Sequence, residues 1–188
     1  MNAEPDKPRK RNAEATRNDI ILAAKIAFTR HGYDNAATRE IADAAGVNVA
    51  LINRYFGSKK GLFEQAIMPS FAPDNVWGDV SELPEVLAGM LVDKPETVNY
   101  DPIIAALRSA SSGEVGGDLQ KVLSENLLQP LAEWLGGDDS HEKAAVALSL
   151  FFGYDVLARM LKVPATSGDD KSALEKRLMQ AFKAAVRA

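Results

Sequence analysis

Hydroxyl, amide and positively charged side chains occur close together between residues 38 and 60. The amide of an asparagine can make two hydrogen bonds to adenine, and an arginine can do the same with guanine or bind a phosphate. Hydroxyl and ammonium groups bind phosphate oxygens without reading the base sequence. This combination indicates binding of a nucleic acid rather than catalysis of a reaction. The side chains concerned are those of Thr38, Arg39, Asn53, Arg54, Tyr55, Lys59 and Lys60.

Two short helices joined by a tight turn are predicted to position these side chains. Thr38 is a suitable N-cap for the first helix, which carries Ile41 and Ala42 on one face, and Asn48 is a suitable N-cap for the second. Gly46, between them, can adopt the left-handed backbone that a sharp corner requires. The connection has the length of a helix-turn-helix, and the second helix is short enough to place its start in a major groove.

Each polar residue of this unit also has an ordinary structural explanation. Thr38 could act only as a cap, Arg39 could be a solvated surface charge, and Tyr55 could belong partly to the core. The binding interpretation is favoured because the side chains converge on the helix starts of a single unit.

This stretch resembles the tetracycline-repressor (TetR) family of bacterial regulators over roughly residues 14–66. In that family the threonine at the start of the second helix and the lysine after the third contact phosphates, and the exposed face of the third helix meets base edges. Asn53 stands where many members have tyrosine, so the resemblance does not imply which base it reads. The matching residues are Phe28, Gly32 and Tyr33, then Thr38 to Ala42, Ala45 to Val47, and Arg54 to Leu62. Residue types and resemblance together give these DNA-contact candidates: Thr38, Arg39, Asn48, Val49, Ala50, Leu51, Asn53, Arg54, Tyr55, Lys59 and Lys60.

Charge is distributed unevenly along the chain of 188 residues, whose formal net charge is −4. Residues 1–60 contain 11 Lys and Arg against 7 Asp and Glu, whereas the remaining residues contain 11 against 19. A basic start on an acidic body suits a local contact with a polyanion such as DNA, although chance could also produce it.

Composition disfavours several other classes of protein. The absence of cysteine excludes disulfides, thiolate metal sites and a cysteine nucleophile. His31 and His141 have no cluster of metal ligands near them in the sequence, and neither a phosphate loop nor a nucleophile elbow is present, so we expect no metal, no cofactor and no enzyme. The start of the chain lacks the apolar stretch of a secretory signal, and the longest mainly apolar run, Ala144 to Tyr154, is shorter than the ~18 residues that span a bilayer. These features predict a soluble cytoplasmic protein.

Helical spacing of apolar residues continues through the rest of the chain, with no alternating strand pattern. The sequence therefore predicts an all-α fold of about nine helices. Four would lie at the front, where three form an N-terminal helix-turn-helix DNA-binding domain, and five would form a C-terminal ligand-binding and dimerisation bundle. The predicted units are a disordered basic arm (1–14), a DNA-binding domain (15–68) and a ligand-sensing and dimerisation domain (69–188). The predicted helices are Thr16–His31, two flanking Gly46, Lys59–Met68, and five near 82–93, 102–111, 117–136, 141–162 and 171–187.

Two helices near the end of the chain suit a homodimer. The stretch from Ala144 to Val163 is apolar all round, so it must be covered on more than one face. The last helix adds an apolar stripe that includes Leu178 and Phe182. The family resemblance implies that these two helices pair with their copies in a four-helix interface, although a buried single-chain core is the alternative. A symmetric dimer would present two reading helices to a palindromic operator.

An effector pocket is predicted in the body, because Pro130 interrupts an otherwise helical run and a kinked helix leaves space beside it. Asp155 lies in the most apolar helix, and Arg159 at the i,i+4 position is its simplest partner, with Arg108 or a cationic effector as alternatives. The candidate wall residues are Trp77, Met90, Leu107, Arg108, Leu127, Leu131, Trp134, Phe151, Tyr154, Asp155 and Met160.

The function implied is repression of transcription, relieved when a small hydrophobic effector binds the body and the helix at Lys59–Met68 transmits the change to the DNA-binding heads. The alternative is a helical protein-interaction module, or a ligand-binding protein, without sequence-specific DNA binding.

Overall fold

The computed structural model describes residues 13–72, 83–93, 99–166 and 171–186, and these residues form helices and connecting turns with no strand among them. Within these ranges the predicted all-α fold is confirmed, with nine helices when the segments on either side of the π turn at Ser124–Leu128 are counted as one. Nowhere in the described ranges is a helix long and apolar enough to cross a membrane. The helices are α1 (Ala13–Asn35), α2 (Thr38–Ala44), α3 (Ala50–Phe56), α4 (Lys59–Ala66), α5 (Leu83–Val92), α6 (Pro102–Ser109), α7 (Gly116–Leu123, a π turn at Ser124–Leu128, then Gln129–Leu135), α8 (Ser140–Asp155 with a π turn at Val156–Met160) and α9 (Lys171–Val186).

Helices α1 to α4 form a unit that we call the head, and α1 is its longest helix. Its inner face buries Ile20, Ala24 and Phe28, which recur every four residues. The helix already begins at Ala13, so the last two residues of the predicted arm are helical, while residues 1–12 lie outside the described part of the chain. Gly32, with φ 70°, interrupts the helix where the sequence predicted its end, and one further turn follows.

Helices α5 to α9 form a second unit, which we call the body, and the core of the head continues into it. Phe28 and Phe63 of the head belong to the same buried cluster as Ala105 of α6 and Leu119 of α7. A second cluster holds α5, the end of α7, α8 and α9 together. Because close-packed interiors transmit small shifts, a displacement of α6 or α7 should change the packing of α1 and α4.

Four contacts, which we call the junction, join the end of α1 to α6 and its flanking loops. The backbone amide of Asp101 donates to Thr29 Oγ1 at 3.1 Å, and that of Tyr33 donates to Ser109 Oγ at 2.9 Å. The hydroxyl of Ser112 donates to Asp34 Oδ1 at 2.8 Å. Gly32 faces α6 so closely that an added Cβ would lie 2.6 Å from the carbonyl oxygen of Arg108.

The interruption predicted at Pro130 takes the form of a π turn at Ser124–Leu128, just before the proline. Proline lacks the N–H that an α-helix would donate to the carbonyl four residues earlier, and a widened turn is one way to accommodate that loss. A second π turn, Val156–Met160, ends α8 without any proline, so no comparable signal in the sequence predicted it.

Helix α9 packs against α5 of its own chain. Its apolar stripe faces its own chain, because Phe182 is fully buried in a cluster with Leu83 and Leu87 of α5. An ion pair between Lys183 and Glu85 adds to this contact. Phe182 is therefore covered within one chain, whereas Leu174, Leu178 and Ala185 of the stripe are half-buried, and pairing of α9 with a second copy stays a prediction.

Candidate nucleic-acid interface

The corner between α2 and α3 forms as the sequence predicted. Gly46 adopts a left-handed backbone with φ 64°. The amide of Val47 then donates to the carbonyl of Ala42 at 2.9 Å, which closes the end of α2. On the inner side, Ile41 and Ile52 are buried and hold the two helices against α1.

The outward face of α3 consists of Ala50, Asn53 and Arg54, which are exposed. Their spacing of three and four residues places them on one side of the helix. The opposite side carries Ile52 and Phe56, which are buried. The amide and guanidinium groups therefore point away from the core on a helix whose inner face is fixed.

The other candidates on this helix occupy intermediate positions. Val49, Leu51 and Tyr55 are half-buried and pack against the core of the head. Each can contact DNA only through the part of its surface that stays exposed, such as the hydroxyl of Tyr55.

The starts of the two helices differ from each other. Val49, just before α3, already has a helical backbone (φ −56°, ψ −28°), and Asn48 caps this first turn as predicted, because its Oδ1 accepts a hydrogen bond from the amide of Ala50 at 2.8 Å. Thr38 is not the N-cap of α2: the extended residue before the helix is Ala37, with φ −84° and ψ 130°, and no side chain caps this end. Thr38 is instead the first helical residue, half-buried, and Arg39 beside it is exposed.

Lys59 is held in place by the end of α1. Its Nζ lies 4.6 Å from the ring centroid of Tyr33 and donates to the carbonyl oxygen of Asp34 at 3.3 Å. Burial raises the pKa of the Tyr33 hydroxyl above its usual range, so the ring stays neutral. Both contacting groups, a neutral ring and a backbone carbonyl, lack a formal charge, so neither competes with a phosphate as a carboxylate would.

Lys60 has a different environment. Its Nζ lies 2.7 Å from Asp118 Oδ2 at the start of α7 and 4.0 Å from Glu64 Oε1 on α4. The hydrogen bond to Asp118 is the main cause that raises the pKa of Lys60. The sequence predicts that both lysines bind phosphates. In the structure Lys60 already pairs with a carboxylate, whereas Lys59 contacts an aromatic ring and a backbone carbonyl.

Several residues that position this surface were missed in the sequence. Tyr33 and Asp34 hold Lys59, and Asp118 holds Lys60. Arg17 lies over the ring of Phe56, 5.5 Å from its centroid, and donates to Gln65, so it supports the ends of α3 and α4. These pairs are far apart in the sequence, and no local spacing links them.

The described members of the predicted effector-binding set lie in two cores and on the surface, and their role in binding an effector stays a prediction. Leu127 lies in the core shared with the head, whereas Phe151 lies in the second core. Met90, Arg108 and Trp134 are exposed, and Trp77 lies outside the described residues. An open cleft of about 370 Å³ lies elsewhere, between α1 and α2.

Two polar members of this predicted set, Asp155 and Tyr154, have partners within the chain. Asp155 is fully buried and pairs with Arg159, the local partner favoured by the sequence. Arg159 also donates to the carbonyl oxygen of Leu91 at 2.8 Å, which ties α8 to α5. The half-buried Tyr154 donates through its hydroxyl to the carbonyl oxygen of Thr166 at 3.0 Å. Throughout the part of the chain that the structure describes, no three His, Asp or Glu side chains form a group that could hold a metal ion.

Two family models match the chain. Residues 20–66 match the model described as bacterial regulatory proteins of the tetR family. Residues 81–186, more than half of the chain, match the model described as the tetracyclin repressor-like C-terminal domain.

Named proteins and a solved structure agree with these matches. The transcriptional regulatory protein RaaS of Mycobacterium tuberculosis is 32% identical over 129 residues, which is 66% of this chain and 58% of RaaS. The transcriptional repressor AcnR of Corynebacterium glutamicum is 32% identical over 91 residues, or 45% of each chain. The chain thus aligns with about half the length of these relatives. The crystal structure of NalD, a secondary repressor of a multidrug efflux pump in Pseudomonas aeruginosa, superimposes with a TM-score of 0.63 at 16% identity, covering 90% of this chain and 97% of NalD.

Proposed function

Because the chain belongs to the TetR family of bacterial transcriptional regulators, we propose that it is a cytoplasmic homodimeric repressor that binds a palindromic operator and is released by a small hydrophobic effector. Residues 15–68 would form the DNA-binding unit, and residues 69–188 the sensing and dimerising unit. AcnR and NalD are both named as repressors, which supports repression rather than activation.

The outward face of α3 is the observation that carries this proposal. Asn53 and Arg54 are exposed on a helix whose other side is buried, so their side chains can enter a major groove without any unfolding of the head. Asparagine pairs well with adenine and arginine with guanine, which gives a short helix the means to read sequence. Lys59, near the end of the same helix, would bind a phosphate and fix the register.

An apolar stripe on the outer side of α8 supports the homodimer. Val146 is 50% exposed and Leu157 is 45% exposed, and the exposed Gly153 lies between them on the same face. The buried residues of this helix, such as Ala147 and Phe151, lie on the other side. An added Cβ at Gly153 would meet nothing within 4 Å in its own chain, so a second copy of α8 has room to approach closely there.

The shared core supports control of DNA binding by the body. Phe63 of α4 packs edge-on against Phe28 and Tyr33 of α1, with centroids 5.0 and 5.4 Å apart. These rings belong to the cluster that also contains Ala105 of α6 and Leu119 of α7. An effector that prefers one arrangement of α6 and α7 would thereby favour one arrangement of the heads. The effector-binding residues stay predictions.

Selection of duplexes from a random library by the full-length protein tests the proposal. We expect enrichment of a palindrome with half-sites about one or more helical turns apart. The double variant Asn53→Ala/Arg54→Ala should lose this enrichment, whereas the control Asn18→Ala/Arg30→Ala, which alters exposed residues of α1, should keep it. A folded wild-type protein that enriches no motif would contradict the proposal and favour the protein-interaction alternative.

A further inference from the structure

We propose that Asp118 of the body competes with DNA phosphate for Lys60 of the head, so that the Lys60–Asp118 pair limits the affinity for DNA. This inference rests on the proposed function, because it concerns the same DNA-binding surface. It makes Lys60 a conditional phosphate contact, in contrast to Lys59.

The position of the pair allows such competition. Lys60 lies in the first turn of α4, next to Lys59 and close to the end of α3. Its Nζ lies 2.7 Å from Asp118 Oδ2, and the two side chains are 37% and 44% exposed. The carboxylate offers the ammonium group the same kind of negatively charged oxygen that a phosphate would offer. Because both groups are reached by solvent, a phosphate approaching the head can reach Lys60 as well.

The strength of the pair favours exchange. An exposed ion pair contributes little to stability, because water and salt screen it. A phosphate contact gains in addition from release of the counterions condensed on DNA. A small change in the distance between Lys60 and Asp118 can therefore decide which partner the lysine takes.

The body determines where Asp118 stands. Its neighbour Leu119 is buried in the shared core, and an added Cβ at Gly116 would lie 2.6 Å from the carbonyl oxygen of Ala110. The start of α7 is thus packed tightly against the segment that follows α6. Any rearrangement of α6 and α7 would carry the carboxylate with it, toward or away from Lys60.

The two neighbouring lysines differ in the charge of their partners. Lys59 contacts an aromatic ring and a backbone carbonyl, whereas Lys60 faces the carboxylates of Asp118 and Glu64. Removal of the Asp118 charge should consequently add a phosphate contact at Lys60 and leave Lys59 unchanged.

The salt dependence of DNA binding by Asp118→Asn tests this inference. Fluorescence anisotropy with a fixed duplex, measured from low to high salt, gives the slope of log K against log salt. We expect the slope of Asp118→Asn to be steeper than that of the wild type by about 0.9 for each freed lysine. The affinity at ~0.1 M salt should rise several-fold, and the double variant Lys60→Ala/Asp118→Asn should lose both gains.

The matched control is Asp139→Asn, which removes another exposed carboxylate of the body, 2.9 Å from Lys143 Nζ. This variant accounts for the general effect of one fewer negative charge. A slope for Asp118→Asn equal to that of Asp139→Asn, or a weaker affinity than the wild type, would overturn the inference while leaving the proposed function intact. A folded wild-type protein that binds no duplex at low salt would overturn both.

Discussion

The carbonyl oxygen of Phe56 occupies the space that a side chain on Gly61 would need. Phe56 is the last residue of α3, and Gly61 lies in the first turn of α4, whose N-cap Ser58 accepts a hydrogen bond from the amide of Gly61 at 3.0 Å. Helices α3 and α4 are therefore joined at a corner that leaves no space for an added side chain.

Replacing Gly61 with alanine should push α4 away from α3, since the added methyl group meets backbone rather than a movable side chain. We expect a loss of about 1–3 kcal/mol in the free energy of unfolding, measured by urea denaturation, together with weaker DNA binding. The control is Gly89→Ala in α5, where an added Cβ meets nothing within 4 Å, and this variant should be as stable as the wild type or more so. Equal stability of the two variants would contradict the tight corner.

Replacing Lys59 with alanine should weaken binding to all duplexes alike, because the contact proposed for this residue is with phosphate. The slope of log K against log salt should become shallower by about one unit for each subunit bound. Lys171→Ala, at an exposed position on α9, provides the control and should leave the slope unchanged. A loss that depends on base sequence, with the slope intact, would argue against a phosphate role for Lys59.

The exposed stripe on α8 predicts how the dimer can be broken. The variant Val146→Glu/Leu157→Glu places two charges on a face that a second copy would bury, so we expect monomers at micromolar concentration in analytical ultracentrifugation. The fold of each chain should persist, as judged by circular dichroism. Leu22→Glu, at another exposed leucine on α1, should remain dimeric. Dimers in both variants would place the interface elsewhere.

The buried pair in α8 predicts a large effect on stability. Asp155 is fully buried, and Arg159→Met would remove the arginine from its carboxylate. Breaking a buried ion pair from one side costs about 3–5 kcal/mol, and the double variant Asp155→Asn/Arg159→Met should recover much of this loss. Thermal or urea unfolding measures both. Lys143→Met leaves only the exposed carboxylate of Asp139 without its partner and should change stability little. An equally small effect of Arg159→Met would show that the buried pair is dispensable.

Local interactions account for the parts that sequence patterns predict. Asn48 caps a helix that starts two residues later, Gly46 turns the chain where it stands, and Arg159 reaches Asp155 one helical turn away. Each of these depends on residues close in sequence, so spacing and residue type are sufficient. The outward position of Asn53 follows in the same way, because Ile52 and Phe56, four residues apart, define the buried side of α3.

Contacts between distant segments account for the rest. The stripe on α9 shows that one face must be covered, but the stripe alone does not distinguish a second copy from α5, which supplies Leu83 and Leu87. Sequence spacing does not predict the partner of Lys60 either, because Asp118 belongs to a distant helix, α7. The predicted N-cap of α2 is wrong by one position: Ala37, rather than Thr38, is the extended residue before the helix.

The most direct test of the account is the base preference of Asn53→Ala, measured as relative affinities for operators that differ at one position of each half-site. If the outward face of α3 reads bases, one symmetric pair of positions should lose about 1–3 kcal/mol of discrimination for each contact, while the other positions keep theirs. An unchanged preference at every position, with the wild type still selecting a palindrome, would contradict the role assigned to this face.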